Sequence, residues 1–187
     1  MRIRRLGATA LLGLVAVLVS LVAAAPAQAD IHNPPGYTHL KVTESGQCLE
    51  LDNFVGAIQQ WTCVNAASEE WRTIGVSAVG GPITHILIVS HLTSECLAVP
   101  FTPTNGTRLV MLPCDVNDVR QFWNTLVMTN PGEDRATYHV ISLLSALCLA
   151  GPDHNSTVGA PVAMRTCGDR NTHTIGDNHE EQWWDFV

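Results

Sequence analysis

Apolar and polar positions along the chain follow two different patterns. From Leu6 to Ala25 the chain runs 20 residues without a charge. Beyond residue 30 the apolar residues come in short runs of strand length, such as Leu40–Val42, Ile86–Val89 and Val140–Leu143. Turn-prone clusters break these runs: Glu44-Ser45-Gly46, Thr104-Asn105-Gly106-Thr107, Gly151-Pro152-Asp153 and Asn155-Ser156-Thr157. Nothing after residue 30 sustains a 3.6-residue apolar period over ten or more positions, so the pattern predicts an all-β body behind one uncharged leader.

The β pattern repeats. The first unit runs His39-Leu40-Lys41-Val42, Gln47-Cys48-Leu49, Trp61-Thr62-Cys63 and Glu69-Glu70-Trp71. The second runs His85-Ile86-Leu87-Ile88, Glu95-Cys96-Leu97, Leu112-Pro113-Cys114 and Gln121-Phe122-Trp123. The third runs His139-Val140-Ile141-Ser142, Leu147-Cys148-Leu149, Arg165-Thr166-Cys167 and Gln182-Trp183-Trp184. The first cysteines of successive units lie 48 and 52 residues apart, a period that marks a repeat architecture. About four short strands per unit predict a closed assembly, because closure hides strand edges that would otherwise aggregate.

The leader has the layout of an export signal. Arg2, Arg4 and Arg5 precede the uncharged stretch, and Ala27-Gln28-Ala29 offers small residues for cleavage before Asp30. An uncleaved membrane anchor is the rival reading, since about 20 residues span a bilayer as a helix. The pattern therefore predicts a signal peptide over 1–29, a lead-in over 30–38 and one domain over 39–187, with repeats about 39–79, 80–133 and 134–187. Removing the leader takes three arginines with it. Seven Lys/Arg then face 17 Asp/Glu, a formal charge of −10. Such a chain repels phosphate backbones and anionic membrane surfaces, which sets nucleic acid and membrane aside as partners. A secreted monomer is the expectation.

All six cysteines, Cys48, Cys63, Cys96, Cys114, Cys148 and Cys167, follow the leader. An even count in an exported chain implies disulfides. Their gaps alternate short and long (15, 33, 18, 34 and 19 residues), which suggests bridges 48–63, 96–114 and 148–167, one within each repeat. No pair has the close spacing of a structural zinc site.

Three units of Cys-Leu, a second Cys and a terminal Trp resemble the ricin-B-type lectin family, whose fold is the β-trefoil. The resemblance runs from about His39 to Val187. Its hallmark Gln-x-Trp is kept at Gln121-Phe122-Trp123 and Gln182-Trp183-Trp184, and the first unit has Glu69-Glu70-Trp71. The resemblance implies that Trp71, Trp123 and Trp184 are core and that the function is carbohydrate binding. In sugar-binding members an Asp two residues after the first Cys takes hydroxyl hydrogens, and an aromatic two before the second Cys accepts the C–H face of a pyranose. A Gln lies two residues before that aromatic, and an Asn directly before Gln-x-Trp completes the set.

The first repeat comes closest to this pattern, with Gln59 and Trp61 in place, Glu50 for the Asp, Ser68 for the Asn and Glu69 for the Gln of Gln-x-Trp. The extra methylene of Glu50 displaces the carboxylate by roughly 1 Å or more. The second repeat has Ala98, Leu112 and Arg120 at the carboxylate, aromatic and Asn positions, and the third has Ala150, Arg165 and Glu181. At most one family-type sugar site, binding a glycan or polysaccharide, is therefore expected.

Enzyme chemistry finds no support. There is no G-x-S-x-G elbow and no H-E-x-x-H helix. The pairs Glu69/Glu70 and Glu180/Glu181 are adjacent, so on a strand they face opposite sides. His39, His85 and His139 recur at matching positions, and His173, Asp177 and His179 share the last loop, but packing or solvated surface is the expected role for both groups. No cofactor or metal is expected. Asn105-Gly106-Thr107 and Asn155-Ser156-Thr157 match the glycosylation pattern and are read as turns. The alternative to a lectin is a secreted trefoil without sugar binding that acts through protein contact, as an inhibitor or surface factor.

Overall fold

The computed structural model describes residues 30–32, 36–77, 81–128, 136–152, 157–168 and 182–187. Residues 1–29, expected to be a signal peptide, the last-loop His173, Asp177 and His179, and Asn155, Glu180 and Glu181 lie outside the described residues.

Among the described residues thirteen strands follow one another: β1 (Asp30–His32), β2 (Thr38–Val42), β3 (Cys48–Leu51), β4 (Ile58–Trp61), β5 (Glu70–Ser77), β6 (Ile83–Ser90), β7 (Cys96–Ala98), β8 (Val110–Leu112), β9 (Trp123–Met128), β10 (Thr137–Ser142), β11 (Cys148–Ala150), β12 (Ala163–Arg165) and β13 (Trp184–Phe186). Apart from β1, each repeat supplies four. The first and last strands of each unit pair with each other and with the neighbouring units, giving the closed ring β2-β5-β6-β9-β10-β13 and back to β2. The middle strands form three hairpins, β3–β4, β7–β8 and β11–β12, each joined to the first strand of its unit. This is the β-trefoil. The long strands extend past the apolar runs that announce them: β6 begins at Ile83, and β10 begins at Thr137 and stops before Leu143. The lead-in also contributes a strand, with Asp30–His32 antiparallel to β5. Pairing partners, which a local pattern does not contain, extend these edges.

The core repeats in three. Trp71, Trp123 and Trp184 are fully buried, and each indole N–H donates to the carbonyl of the Leu that follows the first Cys: Leu49 (2.8 Å), Leu97 (3.0 Å) and Leu149 (2.9 Å). A buried indole N–H needs such a partner. Each ring withdraws on the order of 150–250 Å² from water, at most roughly 4–6 kcal/mol. The disulfides are Cys48–Cys63, Cys96–Cys114 and Cys148–Cys167, one per hairpin. Cys48 stands opposite Trp61 across β3–β4, so the strand register carries Cys63 back to it.

The two Gln of Gln-x-Trp tie down the chain around the second Cys. Gln121 accepts from the Asp115 N–H (3.0 Å) and donates to the Pro113 carbonyl (2.9 Å). Gln182 does the same with Gly168 (2.9 Å) and Thr166 (3.0 Å). Glu69 is fully buried and makes the first of these bonds, accepting from the Val64 N–H at 2.8 Å, while its Oε1 has no hydrogen-bond partner among the described residues.

The three matching histidines do not share an environment. His139 is buried, and His85 stacks on Phe122 with ring centroids 3.8 Å apart. Burial holds the His85 imidazole below its usual range. Among the described residues no three His, Cys, Asp or Glu side chains converge as a metal site would require.

Candidate functional site

In β3, Leu49 and Leu51 are buried and Glu50 between them points outward, as strand alternation requires. Register places Glu50 directly opposite Gln59 of β4. Trp61 lies two residues on, so it shares the face of Gln59, and it remains 37% exposed. The Gln59 amide donates to Glu50 Oε2 at 2.8 Å, and the Ser68 hydroxyl donates to Glu50 Oε1 at 3.4 Å. Ser68 is fixed in turn, because its carbonyl accepts from the Leu51 N–H at 2.9 Å.

Four of the five residues singled out from sequence therefore meet: Glu50, Gln59, Trp61 and Ser68. The fifth, Glu69, lies behind them in the interior, on the bond to Val64. The longer Glu and the shorter Ser are matched to each other, since the extra methylene of Glu50 brings its carboxylate within reach of the Ser68 hydroxyl. Chemically, the group offers a pre-oriented carboxylate, an amide beside it and a partly exposed indole.

One wall comes from elsewhere in the sequence. The third repeat's hairpin turn lies along β4, with the Gly159 N–H donating to the Gln60 carbonyl and the Gln60 N–H donating to the Ala160 carbonyl, both at 2.9 Å. A Cβ at Gly159 would stand 3.3 Å from Trp61 Cζ3 and 3.7 Å from Gln59 Oε1. Sequence reasoning missed Gly159, because the family pattern concerns residues within one repeat.

The second repeat is built differently at the matching place. Arg120 lies over the exposed Phe101 ring, its guanidinium carbon 4.5 Å from the ring centroid, and its Nε donates to Asp118 Oδ1 at 2.9 Å. The side-chain bond from Arg120 holds the Asp118 carboxyl below the usual carboxylate range. Ala98 is fully buried and offers no carboxylate. In the third repeat Ala150 is likewise buried, and Arg165 stands where an aromatic is needed.

Residues 28–112 match the family model described as ricin-type beta-trefoil lectin domain-like, so the first repeat and part of the second carry the family's sequence pattern as well as its fold. No curated protein matches the chain in sequence. Among solved structures, the chain is similar to the designed 3-fold symmetric protein ThreeFoil (TM-score 0.63, 18% identity, covering 81% of this chain and 98% of that one). It is similar to the Macrolepiota procera ricin B-like lectin, solved in complex with lactose (TM-score 0.59, 14% identity, 80% of this chain and 92% of that one). The Rhizoctonia solani agglutinin is a third (TM-score 0.59, 16% identity, 85% of this chain and 99% of that one). At these identities the likeness is one of fold.

Proposed function

We propose that this ricin-B-like β-trefoil is an exported carbohydrate-binding protein whose sugar site is the first-repeat group Glu50, Gln59, Trp61 and Ser68. The observation that carries the reading is the Glu50 carboxylate, held by Gln59 at 2.8 Å and Ser68 at 3.4 Å on the strand face it shares with the exposed indole of Trp61. A pyranose presents a C–H face, which stacks on an indole, and hydroxyl hydrogens, which a carboxylate accepts. Holding Glu50 in advance lowers the ordering cost of binding. Glu69 then acts from behind, fixing the backbone at Val64 just past the second Cys. The lactose complex of the Macrolepiota lectin and the family match at 28–112 support the ligand class. Export rests on the leader over 1–29.

A glycan array on the protein, run beside Trp61→Ala and Glu50→Gln, tests the reading. Binding to one glycan class by the parent protein, lost in both variants, is expected. A folded protein that binds no glycan, or one whose binding survives Trp61→Ala, overturns it.

A further inference from the structure

The three repeats do not close on one another equally. At the junction of the third repeat with the first, Gln60 exchanges two backbone bonds with the turn at Gly159 and Ala160. At the junction of the second with the third, Met164 does the same: it accepts from the Gly106 N–H at 2.7 Å and donates to the Thr107 carbonyl at 2.8 Å. Gln60 and Met164 each stand three residues before the second Cys of their repeat, opposite Leu49 and Leu149. Their counterpart in the second repeat is Met111, opposite Leu97. The bridges Gln59↔Pro161 and Arg108↔Ala163 mark the two closed junctions, and the third such pair, Ala57 with Val110, forms no bridge.

Hairpin length is the cause. Cys48 and Cys63 are 15 residues apart, against 18 and 19 in the other two bridges. The short first hairpin turns back on itself, with the Asp52 N–H donating to Ala57 and the Gly56 N–H donating to Asp52, both at 2.9 Å. Its tip therefore stops short of β8. A groove of ≈ 600 Å³ remains between them. Leu51, Leu109 and Met111 line it with Leu92, and the acidic residues Asp52 and Glu95 are among its lining residues. Asp52 Oδ1 also caps the hairpin turn, accepting from the Phe54 N–H at 2.7 Å and the Val55 N–H at 3.2 Å. No Lys or Arg lines it. At the hairpin tip beside it, Phe54 is 97% and Val55 75% exposed.

We propose that this groove takes an extended segment of a partner protein with aliphatic and basic side chains, which bonds to the backbone of Met111 as the hairpin turns bond to Gln60 and Met164. The occupant follows from the other two junctions, where backbone N–H and C=O groups fill this place. In the register it shares with Gln60 and Met164, Met111 turns its N–H and C=O toward the groove. An open strand edge with such groups is a template for a further strand. The aliphatic lining fits aliphatic side chains, and Asp52 and Glu95 complement a Lys or Arg, as does the acidic balance of the chain after its leader. The surface is separate from the Trp61 site, lying at the opposite end of the β3–β4 hairpin.

The test combines amide hydrogen exchange with selection from a random linear peptide library displayed on phage. In the free protein the Met111 amide should exchange faster than those of Gln60 and Met164. Selected peptides should pair Lys or Arg with aliphatic residues, protect the Met111 amide and bind the Trp61→Ala variant unchanged. The double variant Asp52→Asn, Glu95→Gln keeps a side-chain oxygen to accept from the Phe54 and Val55 N–H groups and should weaken the peptides about tenfold, as expected for two partly screened charges. A Met111 amide as protected as the other two overturns the proposal. So does failure to enrich any peptide, peptides indifferent to the double variant, or protection of Met111 by a glycan instead.

Discussion

Gly159 of the third repeat lies so close to Trp61 of the first that a single added carbon would stand 3.3 Å from the indole. Its φ of +80° belongs to the left-handed region, and Gly106, at the matching turn of the second repeat, has +87° with nothing within 4 Å of a Cβ. The pair separates backbone strain from contact. Ala at either position costs roughly 1–2 kcal/mol of left-handed strain, so both variants should melt a few degrees lower. Gly159→Ala alone should also shift the Trp61 indole N–H resonance and weaken glycan binding. Equal behaviour of the two variants in both readouts would show that the third repeat does not position Trp61.

Glu69 is the one departure among the three Gln-x-Trp positions, and it loses a bond. Gln121 and Gln182 each donate to the carbonyl just before the second Cys, Pro113 and Thr166. The corresponding carbonyl is that of Thr62, and Glu69 Oε1 is buried with no partner among the described residues. Glu69→Gln restores an amide donor at that place. Satisfying a buried polar pair contributes about 1 kcal/mol, which for a domain of this size raises Tm by roughly 3 °C. The reciprocal Gln121→Glu should lower it. Thermal unfolding of both variants checks the sign, and a Tm that falls in Glu69→Gln would show that the carboxylate has found a better partner than the amide would.

What could be seen in the sequence follows from what a repeat displays. Trp71, Trp123 and Trp184, and the six cysteines, recur in register, so their shared role in core and hairpin was legible without coordinates. Glu50, Gln59 and Trp61 were legible because each keeps a fixed offset from a cysteine, and β3–β4 pairing places those offsets on one strand face; Ser68 was legible from its place directly before Glu69-Glu70-Trp71. Gly159 was not, because it reaches Trp61 through a neighbouring repeat about 100 residues away in the chain. The groove at Met111 is an intermediate case. The shorter Cys48–Cys63 gap was visible, but its consequence depends on β8 being the strand that the first hairpin faces. The Arg120–Phe101 stack also needed coordinates, since residue identity showed only that the family's Asn was absent.

His85 offers a pH readout. Burial lowers its pKa below the ordinary 6.5, because the ring packed on Phe122 is less easily charged than one in water. With the folded value depressed, the contribution of this group to stability is fully present above the unfolded value near 6.5. It is lost as pH falls through the folded value. An NMR titration of the His85 ring should give a midpoint below 6.5, and His85→Gln should flatten the decline in Tm on that acid limb. A midpoint at or above 6.5 would show that the Thr84 hydroxyl, 2.9 Å from His85 Nδ1, compensates for burial.

The three disulfides allow a test of where hairpin stability resides. The chain-entropy account values a bridge by the loop it closes, about 3 kcal/mol for loops of this length. Between loops of 15 and 19 residues that account allows a difference of only about 0.2 kcal/mol. On that account alone, replacing each pair by alanines would lower Tm by a similar amount, roughly 9 °C. The hairpins nevertheless differ in their surroundings, since β4 and β12 are bonded to a neighbouring repeat and β8 is not. If those junction bonds hold the strands independently of the sulfurs, loss of Cys96–Cys114 should cost most, because β8 lacks the bonds to a neighbouring repeat that β4 and β12 have. Similar Tm values for the three double variants would assign the bridges' effect to the unfolded chain. A lower value for Cys96→Ala, Cys114→Ala alone would assign part of it to the open junction at Met111.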